Sequence, residues 1–202
     1  FDSMRGYYYI QTGLTALGFI TAWFLVEPKL HVARKEVSWQ SILQVVHETL
    51  WKKPLLSRYI ILSSIIGFAS LSMAWFAQIY LFNAGVQKSN FGVVWTALNL
   101  MVAMGSFSSF TVDRLFGPRR VLILLILFLS GGFILSAQII SFWGIAFLLI
   151  FYFVRGTAHP IMKDRINHLT KSNVRATVFS VRSLIIRILF ALIGPVFGWF
   201  TD

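Results

Sequence analysis

Arg155 stands a little past the middle of the largely apolar run 142–161, and Arg187 close to the middle of the run 176–200. A guanidinium stays ionised in any protein environment and presents a planar fork of donors suited to carboxylate or phosphate. Placed at mid-depth in hydrocarbon it costs at least about 2.5–3.5 kcal/mol, so it faces a cavity or a partner rather than lipid. Neither stretch supplies a carboxylate at comparable depth. Asp113 and Asp164 stand at the ends of apolar runs, and Glu27 closes the first of them. The compensating group is therefore a helix outside this sequence, a substrate, or water in an open cavity; for Arg155 the alternative is snorkelling toward the headgroups. Trp75, Gln78 and Asn99 share the polar or aromatic character and the approximate depth of these arginines, with Trp75 and Gln78 displaced outward to form an upper wall. Together Trp75, Gln78, Asn99, Arg155 and Arg187 form an expected substrate-binding set. Its positive potential favours an anionic or zwitterionic substrate, whereas a lipophilic cation would need a carboxylate facing the arginines from elsewhere.

The other reactive residues lead to less. His159 lies one turn after Arg155, where it could relay protons, or simply form a polar helix end beside Pro160. His47-Glu48 is half of a His-Glu-x-x-His zinc site, but position 51 is Trp51, so no metal site follows. No serine stands in Gly-x-Ser-x-Gly, and no carboxylate pair or phosphate-cradling glycine loop is present. With no cysteine there is no disulfide or thiolate centre. The expectation is a protein that is not an enzyme and carries no cofactor.

The elements that position these residues follow from hydropathy. The 202 residues are 57% hydrophobic and only 12% charged, and their mean hydropathy is +0.74, well beyond a water-soluble domain. A helix needs about 20 apolar residues to cross a ~30 Å hydrocarbon core. Six runs qualify: 7–26, 59–82, 91–112, 121–140, 142–161 and 176–200. Buried strands are far shorter, and barrel strands alternate polar with apolar residues, which these runs do not. The expected fold is all-α, a polytopic transmembrane helix bundle. The sequence opens Phe1-Asp2-Ser3 without a basic segment before its first apolar run, which reads as an excision from a longer protein rather than a signal peptide.

Charge orients the bundle. If the first run ends in the cytoplasm, the connections on that side hold Lys29, Arg34, Lys35, Lys52, Lys53 and Arg58, then Arg114, Arg119 and Arg120, then Lys163, Arg165, Lys171 and Arg175. The opposite side holds Arg5 and Lys88. This is the positive-inside asymmetry, and it accounts for a net charge of +11 without nucleic acid. The longest connection carries Trp39, Ile42, Leu43, Val46 and Leu50 at helical spacing and ends at Pro54. That spacing predicts an amphipathic helix over 38–53, lying along the membrane face or packed beneath the bundle. Small and polar residues form stripes along three runs: Ser63, Gly67, Ser70, Ala74 and Gln78; Gly92, Thr96, Asn99, Ala103 and Ser106; Ser183, Arg187, Ala191, Gly194 and Gly198. Lipid does not select small residues, so each stripe is expected to face protein. The chain divides into a transmembrane helix over 1–26, a cytoplasmic linker over 27–58 and a transmembrane bundle over 59–202.

Residues 109–120 contain Asp113-Arg114, Gly117 and Arg119-Arg120. They resemble the basic loop of the major facilitator superfamily, Gly-x-x-x-Asp-Arg-x-Gly-x-Arg-Arg, as found in the second half of such proteins. Ser109 stands where that loop has glycine, and one extra residue precedes Gly117. Arg155-Gly156, Pro160, Asp164, the run 175–180, Gly194-Pro195 and Gly198-Trp199 are similar to bacterial members of the drug-efflux-like branch. The resemblance implies that the runs are the sixth to eleventh of twelve spans, and that 27–58 links two six-helix halves. It implies secondary active transport of a small molecule by alternating access, proton-coupled, as an exporter or permease in a bacterial inner membrane. The partners it implies are the substrate, protons, the bilayer and the remaining helices. Asp113, Arg114, Arg119 and Arg120 would be the conformational switch, the partner of Asp113 lying on a helix outside this chain, with Arg165 as the lesser candidate within it. An uncoupled facilitator or channel, or a membrane scaffold binding a partner through 38–53, are the alternatives.

Overall fold

The computed structural model describes residues 4–25, 40, 44 and 46–199. Every described element is helical, as the apolar runs require when water is absent to satisfy the backbone. The chain forms two compact units, 1–37 and 38–202. In the first, α1 (Met4–Trp23) is 20 residues long. Its threonines turn their hydroxyls back onto the helix: Thr12 donates to the carbonyl of Tyr8, Thr15 to Gln11 and Thr21 to Gly18. A hydroxyl bonded in this way is tolerable in apolar surroundings.

The second unit contains α2 (Pro54–Asn83), α3 (Phe91–Gln138), α4 (Ile145–Leu169) and α5 (Arg175–Trp199). All four are long and apolar enough to cross a membrane; α1 is not among them. Pro54 starts α2 at a position where the missing N–H is no loss. The helix ends in a Schellman turn, Val86 N–H reaching the carbonyl of Leu81 and Gly85 N–H that of Phe82. Gly85 supplies the left-handed φ of 79° that this turn needs.

Helix α3 spans 48 residues, about 70 Å at 1.5 Å per residue and more than twice the hydrocarbon thickness. It folds back at Gly117, whose φ of 74° and ψ of 166° belong to a region open to glycine almost alone. Pro118 then opens the returning limb. Contacts with α4 show the reversal. In the limb 91–116, Trp95 meets Tyr152, Gly105 meets Phe153 and Asp113 meets Arg165, so this limb runs parallel to α4. In the limb 118–138, Phe133 meets Phe151, and just beyond it Ile139 lies beside Gly144, so this limb runs antiparallel to α4. One helix thus accounts for two expected runs, and the second unit supplies five of the six expected crossings.

The same pairings define the two ends of the bundle. Leu56, Ile60, Ile166 and Val178 form a small core at the end that holds the α3 bend. At the other end Tyr80 donates its hydroxyl to the carbonyl of Ile139 at 2.5 Å. Between them lies the main core, with Leu98, Leu148, Phe151, Tyr152 and Met162 buried at its centre. Lys52, Lys53, Arg58, Arg114, Arg119, Arg120, Lys163, Arg165, Lys171 and Arg175 all fall at the first end, and among the described lysines and arginines of this unit Lys88 alone falls at the second. Phe142, Trp143 and Trp199 are exposed at that second end, as an interfacial aromatic belt requires.

Of the expected helix over 38–53, residues 38, 39, 41–43 and 45 lie outside the described residues, as does 26–37 of the linker with Glu27, Lys29, Arg34 and Lys35. The described part packs beneath the bundle. A π-helical turn (Glu48–Lys52) buries Thr49 and sets Leu50 against the small core, while His47 stacks on Trp51 at 5.6 Å.

Candidate functional site

The first limb of α3 and helix α4 cross backbone to backbone. A Cβ on Gly105 would collide with the carbonyl oxygen of Phe153, and one on Gly156 with that of Val102. Hydroxyls bridge the same crossing: Ser106 donates to the carbonyl of Gly156 at 3.1 Å and Thr157 to that of Gly105 at 3.2 Å. Such proximity is the advantage of small residues where helices meet without a hydrophobic driving force.

Beside this crossing, α2 and α5 leave a cavity of about 370 Å³, within the ~300–1,000 Å³ range of small-molecule sites. Its polar wall is made by Ser70 from α2, Ser106 from α3, Arg155 and His159 from α4, and Arg182 from α5. Arg155 is ten residues into α4, about 15 Å from its start. Its guanidinium lies 5.3 Å from the centre of the Tyr152 ring, which favours a cation over its face. Arg182 is anchored differently, donating through Nε to the hydroxyl of Ser63, with Nη2 at 3.5 Å from the Ser63 carbonyl oxygen. Ser64 donates in return to the Arg182 carbonyl at 3.5 Å. Among the described residues no carboxylate lines the cavity.

Of the expected substrate-binding residues, only Arg155 lines this cavity. Trp75 is 66% exposed and stacks on Phe190 of α5 at 6.0 Å. Gln78 borders a separate hollow with Phe82 and Lys88 at the far end. Asn99 is exposed, its amide donating to the carbonyl of Trp95 in its own helix. Arg187 is exposed, beside Ser180 and Ser183 in a shallow depression of α5. The stripes divide in the same way. Ser63, Gly67 and Ser70 do meet protein, but the stripe through Ser183, Arg187 and Ala191 is open in this chain, and α5 packs through Val178, Val181, Arg182 and Ile186 instead. Within this chain the packed face of α5 is offset by one residue from that stripe. Arg182 went unnoticed because it is the eighth residue of its helix and so reads as part of the basic end; the apolar spacing Val178, Val181, Ile185 around it is the signal that assigns it to the packed face.

At the basic end, Asp113 pairs with Arg165, Nη2 lying 2.6 and 2.7 Å from the two carboxylate oxygens. The expected partner was a helix outside the chain; within the described residues it is Arg165. Arg114, Arg119 and Arg120 surround the bend and are exposed. Five apolar crossings, a glycine-turned basic bend carrying an ion pair, and a polar cavity between α2, α3, α4 and α5 describe a membrane-spanning helix bundle with an internal site. The family model of the Major Facilitator Superfamily matches residues 2–195.

The chain belongs to the Major Facilitator Superfamily. No curated protein and no solved structure matches it. Superfamily membership makes it a multi-pass membrane protein in contact with the bilayer, and its work the transport of small molecules. The large apolar side chains left exposed, such as Phe107, Phe110 and Leu115, are then suited to a surface that meets lipid or neighbouring helices.

Proposed function

We propose that the chain forms the sixth to eleventh spans of a secondary active transporter that works by alternating access, coupled to protons, in the drug-efflux-like branch and in a bacterial inner membrane. The observation that carries this reading is the cavity at the α3–α4 crossing: a polar, cationic hollow between helices long enough to span a bilayer. Alternating access places the substrate site near mid-membrane, where discontinuities between helices can be reached from either face. Arg155 belongs to that site, with Trp75, Gln78, Asn99 and Arg187 on surfaces that the rest of the substrate path would approach. Asp113, Arg114, Arg119 and Arg120 act as the conformational switch at the cytoplasmic end.

Transport coupled to a gradient is tested with the protein in sealed vesicles under an imposed pH gradient. Solute should accumulate above its equilibrium level and fall back when a protonophore is added. A channel would equilibrate without accumulating, and a scaffold would move nothing. The orientation has a separate check, made simple by the absence of native cysteine. Ser89 and Ser172 are both exposed, at opposite ends of the bundle. In intact cells a membrane-impermeant thiol reagent should label Ser89→Cys and spare Ser172→Cys. The opposite pattern overturns the orientation.

A further inference from the structure

Arg155 and Arg182 reach one cavity from different helices, and they are held in it differently. Arg182 uses Nε and one terminal nitrogen on Ser63, which leaves further guanidinium donors of the five available. Arg155 rests over the Tyr152 ring and makes no ion pair there. The described ion pairs are Arg165 with Asp113 and His168 with Asp164, both at the basic end of the bundle. Neither cavity arginine is therefore matched by a carboxylate among the described residues. Two like charges facing one hollow repel each other and each carries a desolvation cost, so the arrangement is at its most stable when an anion lies between them. Ser70, Ser106 and His159 complete the polar wall, and Ile66, Leu71, Met162 and Ile186 make much of the remainder apolar.

We propose that this cavity binds the carboxylate or phosphate group of a small organic anion, with Arg155 and Arg182 as its two donors and the apolar wall receiving the rest of the molecule. The proposal rests on the transport reading above and names the substrate class for its site. The same anionic chemistry is offered by lipid headgroups, and the test separates the two sources.

The protein is placed in nanodiscs of phosphatidylcholine, and its thermal unfolding is followed with sodium benzoate against benzyl alcohol, and with glycerol 3-phosphate against glycerol. At least one anion should raise the melting temperature saturably while its neutral counterpart does not. Arg182→Gln and Arg155→Gln should each weaken the apparent affinity at least 10-fold, and Lys171→Gln, on an exposed turn at the basic end, should leave it unchanged. Arg182→Lys, which keeps the charge and loses the fork, should fall between. Equal responses to charged and neutral probes overturn the proposal, as does a response that survives both arginine substitutions. Stabilisation by phosphatidylglycerol alone, with none from the soluble anions, assigns the site to lipid and also overturns it. The outcomes are distinct from failure of transport: a protein that accumulates solute under a gradient but ignores anions loses only the substrate class, whereas one that binds anions through Arg182 but accumulates nothing loses only the transport reading.

Discussion

Gly105→Ala and Gly156→Ala should each cost about 3 kcal/mol of stability, and Gly156→Leu should leave little folded protein. Overpacking a well-packed contact costs about 1–3 kcal/mol and more where nothing can yield. Here the obstacles are main-chain carbonyls, Phe153 for position 105 and Val102 for position 156, not the ends of flexible side chains. Parting the helices also breaks the bonds from Ser106 to Gly156 and from Thr157 to Gly105, adding about 1 kcal/mol each. Against this stands the helix preference of alanine over glycine, about 1 kcal/mol, which the clash exceeds. Gly92→Ala isolates that preference, because nothing lies within 4 Å of a Cβ there; it should be neutral or slightly stabilising. Unfolding of the detergent-solubilised protein, followed by loss of its monodisperse size-exclusion peak with temperature, reads all four. Val102, Ser106 and Gly156 also line the cavity, so whatever folded protein survives at position 156 should have lost anion binding as well. A Gly105→Ala protein as stable as Gly92→Ala would show that the crossing is looser than the structure places it.

The helices were legible because the requirement that makes them is crude. A run of about 20 apolar residues has few alternatives, and the bend announces itself as Gly117-Pro118 among arginines. Their facing was not legible, and the reason is physical. In a soluble helix the polar side faces water and the apolar side the core, so periodicity reveals rotation. On α5 both the packed face and the outer face are largely apolar, and beyond the first turn the polar clues are only Ser180, Arg182, Ser183 and Arg187. Small residues at 183, 191, 194 and 198 suggest the packed side, whereas Val178, Ile185 and Ile186 are among the residues that meet α2 and α4. Arg155 lines the cavity, and depth alone is enough to expect a polar neighbour there: no rotation of α4 lets a charge in mid-span avoid one at small cost. Trp75, Gln78 and Asn99 were grouped by depth as well, but depth without rotation cannot bring side chains together, and in this chain they lie on separate surfaces.

At the bend, Asp113→Asn should lower stability and change which side of the membrane can reach the cavity. Asp113 and Arg165 are each only about a quarter exposed, at 25% and 26%, and hydrogen bonds between charged groups in such settings are worth about 1.5–3 kcal/mol. Removing the carboxylate also leaves Arg114, Arg119, Arg120 and Arg165 around one turn, while Asp164 already faces His168. Arg165 then becomes available to any acceptor that approaches the basic end, and a ligand or helix that meets it in one state only will bias the equilibrium toward that state. Because Asp113 and Arg165 lie in one helical unit, the pair itself survives a rigid rocking motion; the switch, if the bend is one, acts through the surplus positive charge and not through breakage of this contact. A double-mutant cycle separates the two effects. Arg165→Gln should cost as much stability as Asp113→Asn, the double variant little more than either, and the coupling should be about 1–2 kcal/mol. State populations are read independently by labelling Ser70→Cys, which lines the cavity, from each side of sealed vesicles. Asp113→Asn should alter the ratio of the two labelling rates at least threefold, and Arg165→Gln, which removes the surplus charge, should restore it in the double variant. A loss of stability with an unaltered ratio would make the pair a fastening for the α3–α4 ends and the arginines around it a signal for orientation alone.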